Sequence, residues 1–222
     1  MRRWSRSNPK ASLMARKRFE IVRGARQAFL EGGYAHTSMD SIARAAGVGI
    51  KTVYRHFKDK DDLFSAVMQA ACNPPAFDPV SGRWKEPRDE PERPWFAKPP
   101  KNALVAAGIE YLGHLFSDEQ LALYRVVIRD ARRFPELGKR YQEQVVERAH
   151  DVFAHYLTRW TPVEKWKISD KGAAAETFSA LLRAGIFEKA LYGVHRVSET
   201  EITTRARLAS VKMLILLHSG EL

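Results

Sequence analysis

An all-α fold, in which a small basic helical domain leads into a larger and nearly neutral helical bundle, is predicted by three observations. Apolar residues recur at helical spacing over most of the 222-residue chain, and no alternating strand pattern or Asn-Gly or Asp-Gly hairpin signal interrupts them. Eight of the 11 prolines fall between Pro74 and Pro100, where a fixed φ and a missing donor exclude a continuous helix or a central strand. Charge divides the chain in the same way. Residues 1–60 hold 14 basic and 4 acidic side chains, so nearly all of the formal +11 lies in the first quarter. A chain of this length buries enough surface to fold without disulfide or metal. A surplus so localised is expected of a module that meets a polyanion, either nucleic acid or an anionic membrane surface.

The first helix spans about 17–31, with Ile21, Val22, Ala25, Ala28 and Phe29 on one side and Gly32-Gly33 as its stop. Thr37-Ser38-Met39-Asp40 supplies a hydroxyl cap and an acidic first turn. It opens a second helix over about 38–45 that buries Ile42 and Ala46 and ends at Gly47. A third helix runs from about 49 to 56, and Asp59-Lys60-Asp61-Asp62 starts a fourth, 59–72, through Leu63, Phe64, Val67, Met68 and Ala71. The segment 74–100 reads as a solvated linker or long loop, while Trp84, Trp95 and Phe96 give the alternative of a lid. Five more helices are expected at about 101–116, 118–133, 136–160, 170–193 and 199–218, with Pro135 and Pro162 bounding the third of them. The last two are the most apolar, through Phe178, Leu181, Leu182, Ile186, Phe187 and Leu191 in one and Leu208, Val211, Leu214, Ile215 and Leu217 in the other. Helices this apolar are either deeply buried or meet a partner chain.

Two short helices joined at Gly47 form a helix-turn-helix. The residue at such a turn commonly needs φ > 0, which Gly alone adopts freely. Ile42, Val48 and Val53 are spaced to hold the pair against the first helix, leaving Lys51, Thr52, Tyr54, Arg55 and His56 outward. Hydroxyls and cations suit phosphates and base edges in a major groove, and an aromatic can lie along the backbone. In the block Gly24–Lys60, three runs stand in register: Thr37-Ser38-Met39-Asp40-Ser41-Ile42-Ala43, Ala46-Gly47-Val48 and Thr52-Val53-Tyr54-Arg55-His56-Phe57-Lys58-Asp59-Lys60. The block resembles the N-terminal DNA-binding domain of TetR-family regulators. Tyr124 to Leu137 is similar to the "R-x-V-I-x-E-A-x-R-F-P-E-L" signature of the AefR-like C-terminal domain, and Ala173–Leu191 is consistent with it.

The resemblance implies a division into a basic disordered arm, 1–15, a helix-turn-helix domain, 16–60, and a helical ligand-binding and dimerisation domain, 61–222. It implies that Lys51, Thr52, Tyr54 and His56, with Arg55 beside them, meet DNA on the recognition helix. It also implies phosphate contacts from Thr37 or Ser38 and from Lys60, for which helix N-termini supply a physical reason in their free N–H groups and positive dipole end. Gly49 stands where the family has Ser or Thr as cap, and Ile50 where it has a polar residue, suggesting an apolar contact such as a thymine methyl. Arg2, Arg3, Arg6, Lys10, Arg16, Lys17 and Arg18 read either as a tail adding affinity without sequence preference or as an arm entering the minor groove.

The function so implied is a homodimeric, cytoplasmic transcriptional regulator. It would be a repressor, released from a pseudo-palindromic double-stranded operator by a small molecule whose binding shifts the fourth helix. Action as an activator, or without an inducer, is the alternative within the class. A basic membrane-surface module, using Arg16, Lys17, Arg18, Arg23 and Arg26, is the alternative outside it, and the helix-turn-helix punctuation argues against it. The helices at 170–193 and 199–218 are expected to pair with their symmetry mates, or else to be simply core. Tyr111, His114, Leu115, Tyr124, Ile128, Phe153, Phe178 and Phe187 could line a cavity for an apolar or aromatic ligand, or serve as ordinary core.

No enzyme, metal site or cofactor is expected. Histidines 36, 56, 114, 150, 155, 195 and 218 show no HExxH pattern, and no Gly-x-Ser-x-Gly, P-loop or dinucleotide fingerprint occurs. The single cysteine, Cys72, reads as a small buried hydrophobe rather than a nucleophile or redox sensor. Neither a signal peptide nor an apolar run of membrane-spanning length is expected, the longest such run being Met213–Leu217.

Overall fold

The structure, a computed structural model, describes residues 9–72, 77–78, 83–84 and 93–222. Arg2, Arg3 and Arg6 of the basic arm, most of the proline-rich segment, and the Cys72 and Trp84 side chains lie outside the described residues. The described residues are overwhelmingly helical, as the periodicity predicts. Helices α1 (Pro9–His36), α2 (Met39–Ala45), α3 (Ile50–His56) and α4 (Lys60–Cys72) come first. After them, β1 (Phe77–Asp78) and β2 (Arg83–Trp84) pair antiparallel over two residues each, a short ladder that no sequence pattern announced. Helices α5 (Pro100–Leu115), α6 (Asp118–Ala131) and α7 (Pro135–Tyr141) follow, and a π-helical stretch, Gln142–Glu147, joins α7 to α8 (Arg148–Glu164). Helices α9 (Lys171–Arg183), α10 (Phe187–Leu191) and α11 (Glu199–Ser219) complete the chain.

Three boundaries differ from the sequence reading. Residues 9–15, expected as part of a disordered arm, are the first turns of α1, where Pro9 takes the N-terminal position that costs it no hydrogen bond. The single helix expected at 136–160 is three pieces, and Pro162 does not end it. The ring removes one ladder bond, yet the helix runs on to Glu164 and stops where Lys165 turns left-handed at φ 57. The helix expected at 170–193 breaks at Gly185, whose φ of 77 is incompatible with helix continuation, leaving α10 as a separate short element.

The chain forms two compact units. The first combines residues 1–90 with 122–145, so the end of α6 and all of α7 belong to it as well as the four N-terminal helices. Its core is Ile21, Phe29, Ile42, Val53, Leu63 and Phe64, each without exposed surface. At Gly24, α1 lies tight against the C-cap of α2: a Cβ built there would lie 2.7 Å from the Ala46 amide nitrogen and 2.8 Å from its Cα. Backbone cannot yield as a side-chain tip can.

The second unit, residues 91–121 and 146–222, packs α5, α8, α9 and α11. At Gly108 of α5, a Cβ would meet Leu182 of α9 at 3.0 Å and Ala206 of α11 at 3.1 Å, so these helices approach closely. Phe153 and Phe178 stack with centroids 4.7 Å apart inside this core. Trp95 and Phe96 also belong to it, so the end of the proline-rich segment is not the solvated linker expected there. The Trp95 indole N–H donates to Glu110 Oε2 at 2.9 Å, the Trp160 indole N–H to the Phe96 carbonyl at 3.2 Å, and the Tyr156 hydroxyl to the Lys98 carbonyl at 3.1 Å.

One stripe of α11 escapes burial: Leu208, Val211 and Ile215 are 47, 58 and 63% exposed and share a face by their spacing. On α9, Ala173, Ala180 and Ala184 at its C-cap are likewise exposed. Gly24→Ala should force α1 from α2 and lower stability by about 1–3 kcal/mol, the usual cost of overpacking. A denaturation midpoint equal to wild type would contradict the close approach.

Candidate nucleic-acid interface

The helix-turn-helix is assembled from local chemistry. Ser38 caps α2 reciprocally with Ser41: the Ser41 amide donates to Ser38 Oγ at 3.1 Å and the Ser38 amide to Ser41 Oγ at 2.9 Å. Gly47 turns the chain at φ 64 with nothing within 4 Å of where a Cβ would sit, so it is needed for its backbone angle and not for space. The Val48 amide closes the turn on the Ala43 carbonyl at 3.0 Å. Gly49 then caps α3 with no side-chain hydrogen bond, as its missing hydroxyl predicts.

Val53 and, at the C-cap, Phe57 plug α3 into the core with 0 and 1% exposure. The same rotation turns Lys51, Tyr54 and Arg55 fully outward, with Ile50, Thr52 and His56 half-buried at the margins. The far end is held by Arg18 of α1, whose guanidinium lies 4.3 Å from the Phe57 ring and donates to the His56 carbonyl at 3.4 Å. A cation there also suits the negative end of the helix dipole. The His56 Nε2 is buried with no hydrogen-bond partner, and burial, with Arg18 and Arg55 adding to it, holds this imidazole below its ordinary pKa of 6.5.

Two of the expected phosphate contacts are occupied otherwise. Thr37 is 4% exposed; its hydroxyl donates to the Gly33 carbonyl at 2.6 Å, with the Ala28 carbonyl 3.0 Å away. Lys60 Nζ donates to the Tyr34 carbonyl at 2.9 Å and the Thr37 carbonyl at 3.0 Å, and sits 4.3 Å from the Tyr34 ring. Desolvation lowers its pKa, against the opposing pull of Asp130. Both side chains serve the junction between α1 and α2, because Gly33, at φ 72 and ψ 174, breaks the helical ladder there and frees carbonyls that need donors. Ser38 stays exposed at the α2 start. Sequence reasoning missed the buried Asp130 at this junction. The Tyr34 amide donates to Asp130 Oδ2 at 2.7 Å, a contact across 96 residues that no local signal announces.

Residues 21–67 match the family model of bacterial regulatory proteins, tetR family. Residues 102–216, just over half of the chain, match that of the AefR-like transcriptional repressor, C-terminal domain. The chain belongs to the TetR family. Among its relatives, an HTH-type transcriptional regulator of Staphylococcus aureus (strain bovine RF122 / ET3-1) is 42% identical over 64 residues, 29% of this chain and 34% of that protein. The chain thus spans about a third of the length of that curated relative. A solved TetR-family transcriptional regulator from Mesorhizobium loti MAFF303099 is 27% identical with a TM-score of 0.73, covering 91% of this chain and 97% of that one. The Flavonoid-responsive Regulator FrrA is 28% identical with a TM-score of 0.70, covering 90% and 96%.

Within this TetR-family chain, the expected cavity residues are divided between the two units. Tyr124 and Ile128 fall in the first unit, where Ile128 is 54% exposed and Tyr124 packs edge-on against Tyr141. Ile128 is therefore no cavity wall within its own unit: the face of α6 opposite Val126 and Val127 carries it to solvent. Tyr111, His114, Leu115, Phe153, Phe178 and Phe187 fall in the second unit. Phe153 and Phe178 are buried in its apolar core, Phe187 is buried with the Arg183 guanidinium 5.8 Å from its ring, and Tyr111, His114 and Leu115 line its half-buried edge on the last turns of α5. The His114 Nε2 is buried without a partner, and burial, reinforced by Arg93 and opposed by Glu119, lowers its pKa. Among the described residues no cluster of three or more His, Cys, Asp or Glu could hold a metal, and no helix is long and apolar enough to cross a membrane.

With folded-state pKa values below 6.5, His56 and His114 take up protons less readily in the folded chain, so the unfolded chain binds more protons as the pH falls below 6.5. Stability should therefore be fully present above about pH 6.5 and fall as the pH is lowered from there through the depressed folded-state pKa values. Thermal melts at a series of pH values test this, and a melting temperature that rises on acidification through that range would contradict it.

Proposed function

We propose that this chain is a homodimeric repressor that reads a pseudo-palindromic DNA operator through α3 and leaves it when a small molecule binds the helical domain. The observation that carries the DNA-reading part is the rotation of α3, which buries Val53 and presents Lys51, Tyr54 and Arg55 together on one exposed side. That set combines phosphate-binding cations with an amphipathic aromatic, as groove readout requires. Ser38, Gly49, Ile50, Thr52 and His56 border the same surface; Thr37 and Lys60 act behind it.

The dimer reading rests on the exposed Leu208, Val211 and Ile215 stripe of α11 beside the small residues of α9, within the expected 170–193 and 199–218. Two such helix pairs stack as a four-helix interface. Light scattering should then give twice the 25.3 kDa chain mass.

For the ligand, FrrA is the guide: a likeness covering 96% of a flavonoid-responsive regulator favours an aromatic small molecule with few polar groups. Tyr111, His114 and Leu115 are the residues assigned to meet it, since the His114 Nε2 has no partner within the protein. The same reading makes the protein cytoplasmic and not an enzyme.

Selection of genomic fragments on the purified protein should enrich short sequences with two related half-sites; enrichment of nothing above random DNA would sink the reading. On a recovered fragment, Tyr54→Ala should cost about 1–3 kcal/mol of specific binding. Equal gel-shift midpoints for the two proteins would remove α3 from the interface.

A further inference from the structure

The Asp130 carboxylate is 8% exposed and lies at the end of α6, within the stretch matched to the AefR-like C-terminal domain, yet its partners are at the entrance to the helix-turn-helix. Oδ2 accepts the Tyr34 amide at 2.7 Å and is 3.4 Å from the Ala35 amide. These amides are available because Gly33, at φ 72, interrupts the α1 ladder, so they stand as the unpaired donors of a new turn. A carboxylate on such donors makes charge-assisted hydrogen bonds, stronger than neutral ones. Neighbours fix it in place. Arg129 donates to Oδ1 through Nε and to Oδ2 through Nη2, both at 3.2 Å, and its guanidinium occupies the space a Gly33 side chain would need.

The turn so gripped leads straight to the reading surface. Tyr34 stacks on Phe29 and meets Phe64 and Phe134 edge-on, and its hydroxyl bonds to Asp61. Lys60 bridges the Tyr34 and Thr37 carbonyls, and the next residue is the Ser38 cap of α2. Fixing Tyr34 and Ala35 thus fixes where α2 starts, and α2 carries α3.

We infer that Asp130 is a positioning residue for DNA reading, the group by which α6 sets the start of the helix-turn-helix through the Tyr34 and Ala35 amides. It touches no DNA. α6 begins in the second unit and ends in the first, and Asp130 lies in the part that belongs to the first. Withdrawing it leaves two amides unpaired and the α1–α2 turn free to reorient. This rests on the DNA-binding function proposed above.

The test compares full-length wild type, Asp130→Asn and Asp130→Glu by two readouts: amide hydrogen exchange without DNA, and binding to genomic fragments selected by wild type and to random-sequence DNA. For Asp130→Asn the expected result is at least tenfold faster exchange at residues 34–35, with α11 unchanged. Affinity for the selected fragments should fall about tenfold, with random-sequence affinity unaltered. Asp130→Glu, which keeps the charge, should restore part of both. Unchanged exchange at 34–35, unchanged specific affinity, or faster exchange throughout α5 and α11 would each overturn the assignment, the last by making Asp130 a general stability element. A wild-type protein that retains no fragment contradicts the DNA-binding reading instead, and the exchange comparison still decides whether the clasp holds the turn.

Discussion

Helix α1 runs without interruption until Gly33, and the left-handed turn there leaves backbone donors and acceptors that the helix can no longer pair. Each is met by a group from elsewhere in the chain. Asp130 takes the Tyr34 amide, Lys60 takes the Tyr34 and Thr37 carbonyls, and the Thr37 hydroxyl takes the Gly33 carbonyl. Unmet buried backbone groups cost about 1–3 kcal/mol each, so each of these partners stabilises the junction. The orientation of α2, and with it the exposed side of α3, depends on that junction.

This dependence explains why two residues expected at the DNA surface are turned inward. A Lys at the start of a helix and a Thr at a cap both suit phosphate by chemistry alone. Here the break at Gly33 competes for the same donors, and the protein's own carbonyls lie within 3.0 Å or less of them. On α3 itself, Lys51 and Arg55 are the outward-facing cations. The concentration of basic residues in the first 60 residues still supplies attraction for a polyanion that needs no particular sequence.

Much of this was legible in the sequence because its cues are local. Gly47 for a positive φ, Ser38 for a cap, Val53 and Phe57 against Tyr54 and Arg55 for a buried and an exposed side are decided within one or two helical turns. The interruptions were less legible. Pro162 looked like a stop, but a proline two residues before a helix end forfeits only one bond. The break at Gly185 and the π-helical stretch at Gln142–Glu147 lie within runs whose apolar periodicity continues across them. Trp95 and Phe96 were hidden by proline-rich surroundings, although Glu110 and Tyr156 hold their segment in the core of the second unit. Contacts such as Asp130 with Tyr34 are settled by tertiary proximity, which composition and spacing do not encode.

Two copies of α3 reading DNA side by side from one dimer would leave a paired footprint on the duplex. Hydroxyl-radical footprinting of the protein on a genomic fragment it selects tests this most directly. The expected result is two protected patches on one face of the duplex, related by approximate dyad symmetry and centred about 34–36 Å apart or a multiple of that spacing. A single undivided patch, or uniform protection without symmetry, would contradict it.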